Sequence, residues 1–96
     1  MAKGKRQGGR VISRRFEVRI YNARVRELLE HGETNNTGLS DRWADAVYES
    51  IMAASPQEAV KLMRQKFPPA QGFVVTNVLL VTETGVQEIR KHEYES

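Results

Sequence analysis

Two histidines and one acidic series are the side chains whose type and spacing come closest to supporting chemistry. His31 follows a helix-like segment, and His92 lies in a charged C-terminal stretch. A histidine at a helix C-terminus commonly satisfies helix carbonyls and interacts with the negative end of the helix dipole, and we interpret His31 in this way. Neither histidine is assigned a catalytic role.

Asp41, Asp45 and Glu49 recur every four residues, so a helix over this region would align three carboxylates on one face. Such a face would suit a divalent cation, but a solvated acidic surface is the more common meaning of the pattern. The chain has no cysteine and no glycine-rich phosphate loop, HExxH or GxSxG motif. The sequence therefore predicts a protein without a metal, a cofactor or an enzymatic activity.

Positive charge is concentrated at the N-terminus. The first 15 residues contain six basic and no acidic side chains, whereas residues 16–96 contain nine basic and twelve acidic ones. The six basic side chains are Lys3, Lys5, Arg6, Arg10, Arg14 and Arg15. Flexible segments rich in Lys and Arg bind nucleic acids by displacing counterions from the phosphates. We expect RNA or DNA to bind here, with Arg19 extending the surface; a solubility or protein-binding segment is the alternative.

A second hypothesis concerns the loop between the first helix and the next element. Residues 32–41 are rich in Gly, Asn, Thr and Asp, which favour turns. Long loops in small domains are often functional, so Leu39 and Trp43 are candidates for contact with a protein partner. A single Trp in a small domain is more often a core residue, and this alternative is favoured for Trp43.

Two regular elements are predicted at the start of the folded region. Phe16, Val18 and Ile20 alternate with polar residues and predict a half-buried strand. Asn22 is a suitable N-cap for a following helix that ends near residues 31–32. Tyr21 and Tyr48 are expected on the outer face of the sheet, where they would stack against bases, or else under a helix.

Residues 41–54 fit two periodicities. Helix propensity favours a helix capped by Ser40, but the Ser55-Pro56 pair starts a new helix directly afterwards. Because an extended segment leads into a capped helix without a linker, we predict a strand over residues 46–54. The three acidic residues would then not form a helical face.

The clearest local motif is SPQE at residues 55–58, which predicts a capping box with Pro56 at the first helical position. The helix is expected to end before Pro68-Pro69. The apolar run over residues 73–81 predicts a central strand covered on both faces.

The predicted fold is α/β (α+β), a small three-stranded sheet with two helices in the order β-α-loop-β-α-β; the C-terminal residues fit either a short fourth edge strand or a frayed tail. Residues 1–13 are expected to be a disordered basic tail, residues 14–82 the globular domain and residues 83–96 a charged extension. No apolar run reaches membrane-spanning length and no signal peptide is recognisable, which favours a cytoplasmic location. Homodimerisation would help so small a core.

Overall fold

The computed structural model of the chain describes residues 12–95, which contain four β-strands and two α-helices in the order β1-α1-β2-α2-β3-β4. The elements are β1 Arg14–Asn22, α1 Ala23–Glu30, β2 Val47–Ala53, α2 Pro56–Lys66, β3 Phe73–Thr82 and β4 Gly85–Ile89. The predicted α+β class, element order and fourth edge strand are confirmed. The expected disorder of residues 1–13 concerns a segment that lies, apart from its last two residues, outside the described range.

The four strands form one antiparallel sheet in the order β2-β1-β3-β4. β1 pairs with β2 in an uninterrupted register that runs from Arg14 opposite Ala53 to Ile20 opposite Val47. The register of β1 with β3 shifts between Arg19 and Ile20. β2 and β4 are consequently the two edges of the sheet.

Both helices pack on the same side of the sheet, which we call the covered face. Its centre consists of Phe16, Val18 and Ile20, which alternate along β1 and are buried. Val25 of α1 and Met63 of α2 belong to the same buried cluster. The period-two pattern of β1 therefore identifies the side of the sheet that forms the core.

The prediction that β3 is covered on both faces is wrong. β3 is an internal strand, but only Phe73 and Val78 of its ten residues are buried. Because both helices lie over the covered face, outward side chains such as Leu79 and Val81 remain partly exposed. The apolar run of β3 therefore indicates that the strand is internal in the sheet, but it does not indicate that a second layer covers the other face.

Polar side chains fix the starts of both helices. The Asn22 side-chain oxygen accepts hydrogen bonds from the backbone N–H groups of Arg24 and Val25, as predicted for an N-cap. Ser55 accepts from the N–H of Glu58, as the SPQE motif predicts. The Glu58 carboxylate differs from the expectation, since it accepts from the N–H of Ala54, at 2.6 Å, and not from that of Ser55.

The ambiguous region 41–54 contains a short turn and a strand. Residues Asp41–Ala44 form one turn of 3₁₀ helix capped by Ser40, and the strand prediction for the remainder is confirmed by β2. The Ser-Pro start of α2 thus proved a better guide than helix propensity, because pairing with β1 outweighs a weak local preference.

The C-terminal residues belong to the fold instead of extending from it. β4 pairs with β3, and after it Tyr94 returns to the core and donates a hydrogen bond to the backbone oxygen of Thr76, at 3.1 Å. Gln57 of α2 also donates to the backbone oxygen of Glu93. The globular unit therefore continues beyond residue 82. None of the helices within the described range is long and apolar enough to cross a membrane.

Candidate nucleic-acid interface

The side of the sheet opposite the helices, which we call the open face, has no helix over it among residues 12–95. Strand alternation and pairing register place thirteen side chains on it. They are Arg15, Glu17, Arg19 and Tyr21 of β1, Tyr48, Ser50 and Met52 of β2, Val74, Asn77, Leu79 and Val81 of β3, and Val86 and Glu88 of β4.

Large apolar side chains are unusually exposed on the open face. Tyr48, Met52 and Val86 are 52%, 56% and 58% exposed, respectively. Tyr48 and Met52 lie on the edge strand β2, whereas Val86 lies on the opposite edge β4 beside the partly exposed Leu79 and Val81. The charged side chains of β1 separate these two apolar patches.

Arg19 lies in the middle of this face. It stands opposite Tyr48 on β2 and opposite Asn77 on β3. Its guanidinium makes a long hydrogen bond of 3.4 Å to the hydroxyl of Thr76, while the Asn77 amide donates to the Glu88 carboxylate at 2.8 Å. Arg19 and Tyr48 are therefore neighbours in the strand register, while the Arg19 guanidinium is directed toward Thr76 on β3.

The Tyr21 ring is stacked against the guanidinium of Arg26. The Cζ atom of Arg26, from α1, lies 3.6 Å from the ring centre, and the Arg26 Nε atom donates to the backbone oxygen of Ala44 at 2.7 Å. The guanidinium is thus fixed against the ring by a cation–π contact and a hydrogen bond. Since a guanidinium plane itself stacks on bases, Arg26 extends the open face beyond Tyr21.

The charge of the surface is mildly positive. Arg15, Arg19 and Arg26 contribute three positive charges, against the two negative charges of Glu17 and Glu88. Within the described part of the chain the single ion pair joins Arg64 and Glu95, so none of these arginines is held by a carboxylate.

The predicted nucleic-acid-binding residues divide into three groups. Arg15 and Arg19 lie on the open face, with Arg15 opposite Met52 at the end where residues 1–13 join the sheet. Arg14 has the opposite orientation and lines an apolar groove with Phe16 and Leu80 at the end of the covered face. Four further predicted residues precede the described range: Lys3, Lys5, Arg6 and Arg10.

The loop candidates are placed in or against the core. Trp43 is 8% exposed, and its ring centre lies 5.2 Å from those of Phe67 and Phe73. Leu39 is half-buried against the same cluster. The favoured interpretation of Trp43 as a core residue agrees with this position. A buried indole is not available for contact with a protein partner, which was the basis of the second hypothesis.

The acidic series does not form a cluster. Asp41 lies in the 3₁₀ turn, Asp45 follows that turn and Glu49 lies in β2, so the helical face that would have aligned them does not exist. No group of three or more potential metal ligands occurs among residues 12–95. Asp41 instead accepts a hydrogen bond from the Asn35 amide, at 2.7 Å, which holds the loop together.

Parts of the site were not predicted from the sequence. The strand alternation placed Met52 on the same face as Tyr48 and Ser50, but Met52 was not among the predicted binding residues. Arg26 was expected only to extend the positive surface of the basic segment, and its stacking on Tyr21 had no local signal because it depends on how α1 leaves β1. An open cleft of about 630 Å³ between α1 and the 32–40 loop, lined in part by Arg24, Leu28 and Thr37, was likewise not expected.

Comparison with known proteins adds no functional assignment. No family model, no curated protein and no solved structure matches this chain. The function must therefore be inferred from the fold, the open face and the distribution of charge.

Proposed function

We propose that this protein acts by binding nucleic acid and not by catalysis, with the basic residues 1–15 contacting phosphates and the open face contacting unpaired bases. The observation that carries the proposal is the exposed Tyr48 ring on the strand that pairs with Arg19, on a sheet face that begins where the basic segment ends. Exposed aromatic rings and guanidinium groups on one sheet face provide stacking and positive charge for unpaired bases.

Single-stranded RNA or DNA is the ligand that suits this surface. Bases in a duplex are stacked on one another and do not present their faces, whereas bases of a single strand can stack on Tyr48 and on the Arg26 guanidinium. The basic segment would supply affinity without sequence preference, because each phosphate contact releases counterions. The open face would then select single strands over duplexes.

The first test is a fluorescence-anisotropy titration of the full chain with single-stranded RNA, duplex RNA and duplex DNA at two salt concentrations. We expect single strands to bind most tightly, with an affinity that falls as salt rises. Substituting Gln for Lys3, Lys5, Arg6 and Arg10 together should weaken binding to all three ligands and reduce the salt dependence. Binding that is absent, or that is unaffected by this neutralisation, contradicts the proposal.

The open face is tested separately by Tyr48→Ala and Arg19→Gln. Loss of one stacked base corresponds to about 1–3 kcal/mol, or roughly a 5- to 150-fold rise in Kd for a single strand. Lys61→Gln is the matched control for Arg19→Gln, since Lys61 is an exposed cation on α2, on the other side of the sheet. If Lys61→Gln weakens binding as much as Arg19→Gln, the open face is not the base-binding surface.

A further inference from the structure

The edge strand β2 has few of the features that protect the edges of natural sheets. Its outer side has no strand partner among residues 12–95, because β2 pairs with β1 alone. Edge strands are normally protected by Pro, Lys, a β-bulge or an inward-pointing charge, which hinder pairing with another chain. β2 reads VYESIMA, with no Pro or Lys and with an unbroken register along β1, and its single charged residue is Glu49 on the covered side.

The other edge of the sheet offers a comparison. β4 has five residues against seven in β2, and Glu88 and Gln87 make it polar. Short, charged edges are poor templates for strand addition. Val86 of β4 is also more than half exposed, but β2 is the longer edge and carries two such side chains, Tyr48 and Met52.

The sequence of β2 is complementary to itself when two copies run antiparallel about Ser50. In this register Tyr48 faces Met52 of the second copy, and Val47 faces Ala53 of the second copy. Met sulfur and aromatic rings attract each other, and such cross-strand pairs stabilise sheets. Glu49, the one charged residue of β2, faces Ile51 of the second copy, whereas a register centred on Glu49 would bring two carboxylates together.

We propose that the protein forms a homodimer by antiparallel pairing of β2 with β2 of a second copy, with the two-fold axis at Ser50. The pairing creates one continuous eight-stranded sheet, and the axis places Tyr48 of each copy beside Met52 of the other on a joint open face. A second copy fits this edge because the contact is isologous: each β2 pairs its free edge with the other. No free β2 edge then remains, so the assembly stops at two copies. The inference does not depend on nucleic-acid binding.

The first test measures the molar mass of the full chain without nucleic acid by size-exclusion chromatography with light scattering. The monomer is 10.9 kDa, and we expect twice this mass at high concentration. Because one strand pair is a small interface, dissociation is expected at a Kd on the order of 10 µM. A monomer mass at every concentration up to about 100 times this Kd would overturn the proposal.

Ser50→Lys tests the register in the same measurement. Ser50 is exposed on the open face, so the monomer tolerates a lysine, but the axis brings the two ammonium groups side by side. We expect Ser50→Lys to raise the dimer Kd at least 10-fold. Thr84→Lys, which adds the same charge at the exposed turn between β3 and β4, should leave it unchanged. Equal dimerisation of both variants would overturn the pairing.

A cysteine substitution tests the axis without adding charge. The chain contains no cysteine, so the single thiol of Ser50→Cys can form a disulfide only with a second copy. Cβ atoms directly opposite each other in a strand pair are close enough to be linked with little movement. We expect Ser50→Cys to cross-link under mild oxidation much faster than Thr84→Cys. Equal rates, or no cross-linking of Ser50→Cys, would refute the two-fold axis at Ser50.

Discussion

The two faces of the sheet are formed by the same strands but differ in the burial of their side chains. On the covered face, Phe16, Val18 and Ile20 of β1 belong to one buried cluster with residues of both helices, and none is more than 2% exposed. On the open face, Tyr48 and Met52 of the adjacent strand β2 are more than half exposed. Burial on the first face is required for folding, whereas an apolar side chain on the second contributes little to stability.

This difference identifies the surface of so small a domain that is available for a function. A sheet face that serves only as a solvated surface can be entirely polar. The open face instead carries aromatic and aliphatic side chains on both sides of β1, and its edge strand β2 contains no Pro or Lys. Both proposals above use this face or this edge, and neither requires any change to the core.

The largest expected effect tests whether the covered face alone maintains the fold. Phe16→Ala should lower the free energy of unfolding by about 3–5 kcal/mol, because it removes a buried aromatic ring and leaves a cavity. Tyr48→Ala, on the adjacent strand but on the open face, should change it by about 0.5 kcal/mol. Urea denaturation followed by circular dichroism measures both. Similar losses for the two variants would contradict the division between faces.

The same substitution on each face gives a sharper comparison. Val78→Thr introduces a hydroxyl at a fully buried position and should cost about 1–3 kcal/mol of unfolding free energy. Val86→Thr makes the same change at a position that is 58% exposed, and we expect a change within about 0.5 kcal/mol. Thermal denaturation of the two variants checks this. A destabilising Val86→Thr would mean that the open face is covered.

A close backbone contact helps hold α1 on the covered side. Gly72 has φ +99°, and a Cβ atom there would lie 2.9 Å from both the Arg24 Cγ and the Asn22 side-chain oxygen. Gly38, with φ +84°, has no atom within 4 Å of that position. Each Gly→Ala change should destabilise through its positive φ, and Gly72→Ala should cost about 1 kcal/mol more. Equal losses in urea denaturation would show that the contact around Gly72 relaxes freely.

The smallest expected effect concerns Tyr94, which closes the covered face at its C-terminal end. Tyr94→Phe removes the hydrogen bond to the Thr76 backbone oxygen and should cost about 1 kcal/mol of unfolding free energy at neutral pH. Chemical denaturation of the variant and of the parent chain gives this difference. A variant as stable as the parent would mean that water replaces the hydrogen bond at no cost.

The pH dependence of the same variant provides a second measurement. Burial, followed by the charges of Glu95 and Glu88, raises the pKa of Tyr94 above its ordinary value of 10.0. The phenol therefore stays protonated in the folded state after the unfolded chain has ionised. Its stabilising contribution is complete below pH 10.0 and is lost as the pH rises through the higher folded pKa. Tyr94→Phe should lose less stability than the parent chain above pH 10.0; parallel curves would contradict the raised pKa.

Local patterns predicted most of the elements because each depends on residues close in sequence. The alternation in β1, the Asn22 cap and the Ser55-Pro56 start of α2 each have a nearby chemical cause, and each was found where expected. Tyr94 was missed because its burial depends on the chain turning back after β4. The second covering layer over β3 was expected wrongly, because an apolar run does not report on which side the helices pack.

In the candidate site, too, local features were predicted from the sequence and contacts between distant segments were not. The outward positions of Tyr21 and Tyr48 followed from strand periodicity, whereas the pairing of Tyr48 with Arg19 required the register between β2 and β1. The stacking of Arg26 on Tyr21 required the direction in which α1 leaves the sheet.

The sequence by itself determined most of the secondary structure outside residues 41–54, the alternation of buried and exposed side chains along β1, and the separation of positive charge at the N-terminus. These properties depend on side-chain chemistry and on spacings of a few residues. The tertiary structure alone decided that both helices cover one face, that β2 is an edge of the sheet formed by residues 12–95, and that Tyr94 enters the core. Those outcomes depend on which distant segments pack together, and burial of the apolar surface of the whole chain selects among them.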